Sequence, residues 1–105
     1  MTCWVNGIQV SQGNLGDMDW TFAEIIERCS YGVNLMPGDV IGSGTVGTGC
    51  FLELNGTGKL NNPDYTEQWL QDGDVVEMEI DGLGKLSNTF VKDESDFSIL
   101  DLKKI

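Results

Sequence analysis

The sequence predicts a mainly β chain of the α+β class with one helix, at about residues 21–31. Three observations lead there. Turn signals at Asn6-Gly7, Pro37-Gly38-Asp39, Asp72-Gly73-Asp74 and Asp81-Gly82 stand beside β-rich runs. Those runs alternate, as in Val76, Met78 and Ile80 against Glu77 and Glu79. Only one stretch, Phe22, Ile25, Ile26 and Cys29, carries clear helical spacing.

The elements follow in order. Met1 to Val10 reads as a hairpin about Asn6-Gly7, pairing Val5 with Ile8 and Cys3 with Val10, with Trp4 and Gln9 on the opposite face. Ser11 to Asp19 is a polar connection, and Asp17-Met18 reads as structural. Thr21 caps the helix and Glu24 completes a capping box, with Trp20 and Ile25 placed as a hydrophobic staple. Gly32 suits the left-handed stop, and the apolar stripe is expected in the core.

Gly42, Gly44, Gly47 and Gly49 then crowd a stretch bounded by two expected strands, Val40-Ile41 and Cys50 to Leu54. Asn55 to Asn62 reads as a loop in which Lys59 does nothing specific, and Pro63 to Leu70 as a helical turn. Asp72-Gly73-Asp74 echoes Pro37-Gly38-Asp39. The last hairpin should set Met78 opposite Leu86 and Glu79 opposite Lys85 across an odd loop, Asp81 to Leu83. An exposed Glu79–Lys85 pair would contribute at most about 1 kcal/mol. Residues 92–105 form a C-terminal extension. Phe97, Ile99, Leu100 and Leu102 make it too apolar for a solvated tail, so it should dock on its own fold or on a partner chain.

With 105 residues the chain is one domain at most, with an expected radius of gyration of about 13 Å and a modest core. Seventeen acidic and six basic residues give a net charge of −11. That balance excludes phosphate backbones and anionic membrane surfaces as natural partners. It also opposes capture of acidic substrates unless a metal or a local Lys reverses the field. The three cysteines, Cys3, Cys29 and Cys50, lack metal-ligand spacing, there is no histidine, and each cysteine is expected to be buried. No signal peptide or membrane span is visible, which makes the cytoplasm the expected compartment.

The wording Pro37-Gly38-Asp39-Val40-Ile41-Gly42-Ser43-Gly44-Thr45 resembles the fumarylacetoacetate hydrolase family. Trp4-Val5-Asn6-Gly7, Asp17-Met18, Gly73 to Glu77 and Gly82-Leu83-Gly84 fall in that family's order. The resemblance covers about residues 4–91, the last part of the catalytic domain. It implies a mixed β-roll or sandwich and a partial domain over residues 1–91. It also implies chemistry next to a carbonyl: hydrolysis, decarboxylation or isomerisation of β-diketo or 2-oxo acids. In such enzymes Mg²⁺ or Mn²⁺ holds the substrate's oxygens and a His–Glu pair activates water.

Carried onto this sequence, Thr45 matches the family's substrate-contacting threonine, Gly44 stands beside it, and Glu53 looks like the glutamate of the His–Glu pair. The dyad's base has no counterpart here, and the family's metal carboxylates lie upstream of the resembling part, so no metal ligand is assigned. Glu77-Met78-Glu79 imitates their spelling but reads as a solvated face, since Mg²⁺ seeks six oxygens.

Two functions compete. The chain is either one part of a split enzyme completed by a second polypeptide, or a non-catalytic, self-associating module, a homo-oligomer such as a dimer. An accidental likeness would predict that the 21–31 helix does not pack on the sheet containing Val40 and Val76.

Overall fold

The computed structural model describes residues 1–95. Its elements are β1 (Thr2–Val5), β2 (Ile8–Gln12), α1 (Phe22–Cys29), α2 (Phe51–Asn61), β3 (Val75–Ile80) and β4 (Gly84–Thr89), with a 3-10 turn at Leu15–Asp17. The strands form one antiparallel sheet in the order β2-β1-β3-β4. The mainly β, α+β class stands, with a second helix added to the expected one.

Both hairpins form where turn chemistry placed them. Asn6 and Gly7 take left-handed φ of 51° and 77°, and Val5 faces Ile8. The expected Cys3–Val10 pairing gives way to Cys3–Ser11, because a bulge between Cys3 and Trp4 leaves Val10 as the extra residue. Asn6 does more than turn. Its backbone N–H donates to Val75 O at 2.8 Å, its side-chain oxygen accepts from Val75 N at 2.9 Å, and its amide donates to Asp74 Oδ1 at 2.8 Å. The first turn is thereby welded to the start of β3. In the second hairpin Met78 faces Leu86 and Glu79 faces Lys85 across the three-residue loop. The ion pair, however, runs diagonally from Lys85 to Glu77 at 2.6 Å, because Lys85 also lies over the Trp4 ring, 5.0 Å from its centre.

The echo between the two Gly-Asp turns is geometric. Asp39 Oδ2 accepts from Met36 N at 2.8 Å, and Asp74 Oδ2 accepts from Gln71 N at 2.7 Å. In each turn the Asp N–H donates back to the same residue's carbonyl, and the glycine between has positive φ. α1 begins as expected: Thr21 Oγ1 accepts from Glu24 N, and Glu24 Oε2 accepts from Thr21 N at 2.8 Å.

Residues 50–62 overturn the expectation of a strand followed by a loop. Cys50 caps α2, its sulfur accepting from Glu53 N at 3.5 Å. The inward face of α2 is Phe51, Leu54, Asn55 and Gly58, at helical spacing. Asn55 is only 2% exposed. Its oxygen accepts from Gln68 N at 2.9 Å and from Tyr65 Oη at 3.3 Å, while its nitrogen donates to Gln68 O at 2.8 Å. Committing Gln68's backbone to Asn55 is why Pro63 to Leu70 is not a helical turn. Lys59 is likewise engaged, in an ion pair with Glu67. Val40 and Ile41 form no strand.

Among the described residues, close packing between elements is confined to neighbouring strands. Among the described residues no hydrophobic side chain is buried, so the expected core is absent, and the α1 stripe leaves Phe22 53% and Ile26 51% exposed. Cys3 and Cys29 are half-buried and Cys50 is exposed, against the expectation of three buried thiols. The radius of gyration is 18.0 Å against the expected value of about 13 Å. The accessible surface is 9055 Å² where a compact chain of this mass exposes about 5,800 Å². The sheet's apolar face and the helices are splayed rather than closed on one another.

Candidate functional site

The ribbon between α1 and α2 is tethered at its far end. Val46 packs against Gly13 at the end of β2, so closely that any Cβ on Gly13 would collide with it. Thr48 has φ of 68°, unusual for a β-branched residue. Its N–H donates to Glu53 Oε2 at 2.9 Å, and its hydroxyl shares a hydrogen bond with the buried Ser11 hydroxyl at 3.2 Å. Glu53 stands in the first turn of α2, where a carboxylate also suits the helix dipole.

Those tethers leave Gly42, Ser43 and Thr45, with Val46 and Gly47, lining an open cavity of about 610 Å³. Gly44 takes φ of 96°, which turns the ribbon there and which a side chain would resist. Thr45 lines the cavity along with Ser43, Asp17, Asp19 and Trp20. Among the described residues the Thr45 hydroxyl has no hydrogen-bond partner. Glu53 does not line this cavity. The structure brings Thr45 together with Asp17 and Asp19, and holds Glu53 at the ribbon's root. Asp17 belongs to the Asp17-Met18 segment that resembles the family's.

Among the described residues no group of three or more Cys, Asp or Glu side chains could hold a metal ion. Glu77 is engaged with Lys85 on the sheet face bearing Trp4. Burial pushes the Cys3 thiol up from its ordinary value, which opposes thiolate chemistry there.

A family model, fumarylacetoacetate (FAA) hydrolase C-terminal, matches residues 1–91. The chain belongs to the fumarylacetoacetate hydrolase family. That membership overrules an accidental likeness, although α1 does stand away from the sheet. Among curated relatives, the oxaloacetate tautomerase YisK of Bacillus subtilis is 36% identical over 84 residues, 80% of this chain and 24% of that protein. An uncharacterised protein of Staphylococcus saprophyticus is 38% identical over 90 residues, 86% of this chain and 26% of its own. The fumarylacetoacetase of Arabidopsis thaliana is 34% identical over 76 residues, 64% of this chain and 18% of its own. The chain thus spans about a quarter of the length of the relatives it matches. No solved structure matches the chain at a significant level. No helix among the described residues is long and apolar enough to cross a membrane.

Proposed function

We propose that this chain supplies the substrate-facing ribbon, Gly44 and Thr45, of a fumarylacetoacetate hydrolase-type site acting on 2-oxo or β-diketo acids. The cation donors for Mg²⁺ or Mn²⁺ and the proton acceptor come from polypeptide outside these 105 residues. The 105 residues alone do not catalyse. The observation that carries this reading is the place of Thr45 on an open cavity wall, within the region that matches the family. When bound, the cation would stabilise an enolate. The chain's own contribution is the Thr45 hydroxyl, which donates to a substrate oxygen, on a ribbon held by Val46, Thr48 and Glu53. The names of the relatives, an oxaloacetate tautomerase and a fumarylacetoacetase, support the substrate class.

The test is complementation. The chain is mixed with a separate polypeptide carrying the preceding three-quarters of a family member, with Mg²⁺, and oxaloacetate tautomerisation and acylpyruvate cleavage are followed by absorbance. Turnover is expected from the mixture, and a Thr45→Val chain should lower it by about 10²-fold, as loss of an oxyanion donor does. No turnover under any pairing would refute the proposal.

A self-associating module is the second reading, favoured by the half-exposed α1 stripe at Phe22 and Ile26. A monomer by light scattering at every concentration would remove it.

A further inference from the structure

The turn that follows Thr45 is closed by an unusual residue. Gly49 N donates to Val46 O at 2.8 Å, which makes Val46 to Gly49 a four-residue turn. Its third residue has the positive φ, a place where such turns ordinarily carry Gly or Asn. Here that residue is Thr48, with φ of 68°, although a glycine stands on either side of it. A β-branched residue in that region persists only where its surroundings over-determine it.

The surroundings here do so from two elements at once. From α2, Glu53 Oε2 accepts from Thr48 N at 2.9 Å. Glu53 is itself fixed in the first helical turn, where its own N–H donates to Cys50 Sγ. From β2, the Ser11 hydroxyl stands 3.2 Å from the Thr48 hydroxyl. The single Thr48 hydroxyl proton is committed to Gly47 O, so Ser11, only 8% exposed, is the donor in that bond. Val46, which opens the turn, is wedged against Gly13 just beyond β2. A Cβ on Gly49 would lie 2.5 Å from Val46 O, so the turn closes this tightly only with glycine there. Thr45 is the residue immediately before this clamped turn.

We propose that Glu53 is a positioning residue: it acts through Thr48, holding the Val46–Gly49 turn in its strained form and thereby keeping Thr45 on the cavity wall. The inference rests on the proposed function for what Thr45 does, and goes beyond it in giving Glu53 a role other than partner of a base. Glu53 does not line the cavity, and the group it meets is a backbone N–H. That role needs an acceptor in the right place and does not need a negative charge.

The test compares Glu53→Ala with Glu53→Gln, whose side-chain oxygen still accepts from Thr48. On the 105-residue chain, Glu53→Ala should speed exchange of the Gly49 amide by about tenfold, the loss of one hydrogen bond, and move the Thr45 amide resonance. Glu53→Gln should leave both near the unaltered chain's values. In a Thr48→Gly background, where positive φ carries no steric penalty, the effect of Glu53→Ala should shrink to about twofold. In the mixture with the complementing polypeptide and Mg²⁺, Glu53→Ala should lower kcat by about tenfold, and Glu53→Gln should restore most of it. Three results would overturn the proposal: an unchanged Gly49 amide in Glu53→Ala, Glu53→Gln as damaging as Glu53→Ala, or an alanine effect undiminished beside Thr48→Gly. If the unaltered mixture shows no turnover, the proposed function fails, while Gly49 exchange and the Thr45 resonance on the chain alone still decide the role of Glu53.

Discussion

Asn55 is the side chain on which the middle of the chain turns, and its removal gives the sharpest test of that arrangement. It is 2% exposed, sits inside α2, and satisfies three groups outside the helix: Gln68 N, Gln68 O and Tyr65 Oη. A hydrogen bond of this kind contributes about 1 kcal/mol net. Gln68 and its surroundings are exposed, so water can re-pair its backbone once the amide is gone. Asn55→Ala should therefore cost about 2–3 kcal/mol, against an intrinsic helix gain for alanine of a few tenths. In a domain of this size that lowers the melting temperature by about 10–20 °C. Asn55→Asp should be nearly as damaging at neutral pH, because it presents an acceptor to Gln68 O where a donor is needed. The assay is urea unfolding followed by circular dichroism, with hydrogen exchange at Gln68 as the local readout. A cost below about 0.5 kcal/mol for Asn55→Ala, with Gln68 exchange unchanged, would refute the reasoning.

Further outcomes follow from single contacts. A Cβ on Gly58 would lie 2.5 Å from the Tyr65 ring, whereas one on Gly56 would meet nothing within 4 Å. Gly56→Ala should stabilise the chain by about 0.5–1 kcal/mol, while Gly58→Ala should destabilise it despite the same helix propensity gain, and equilibrium unfolding separates the two. Thr21→Ala removes the capping box at α1 and should cost about 1 kcal/mol, read as lost helicity. The Gln71 N–H, then the Asn6 amide, hold the Asp74 carboxyl below its ordinary 3.8. A carboxyl lowered in the folded state stabilises above its unfolded value and ceases to as pH falls through its folded one. Stability should therefore drop as pH falls below about 3.8, and Asp74→Asn should flatten that limb in acid titrations of unfolding.

The parts of the fold readable from sequence were those fixed by local chemistry. Asn6-Gly7 and the Asp81–Leu83 loop set the register of both hairpins, and Thr21 with Glu24 set the start of α1. Residues 50–61 were misread because Cys50-Phe51-Leu52-Glu53-Leu54 is spelled like a buried strand and Gly56 and Gly58 argue against a helix. What makes them a helix is tertiary. Asn55 reaches a segment thirteen residues on, and Gly58 leaves room for the Tyr65 ring. The bulge at Val10 escaped notice because alternation alone cannot reveal an extra residue. The wording around Gly44 and Thr45 made the chain's kinship with a family legible. The tethers at Gly13, Ser11 and Glu53 were not, since they join residues far apart in sequence, nor was the nearness of Asp17 and Asp19 to Thr45. The expected core failed for a physical reason. One sheet and two short helices have apolar faces that this arrangement does not bring together.

The proposed function divides the labour, with the ribbon in this chain and the cation donors elsewhere. Isothermal titration of the 105-residue chain with Mg²⁺ and oxalate, an enolate mimic, tests it most directly. The chain alone should give no heat that depends on both ligands, and such heat should emerge once the complementing polypeptide is added. Saturable binding by the chain alone, requiring Mg²⁺ and oxalate together and weakened by Asp17→Asn, would show that it carries its own cation site and would contradict the account.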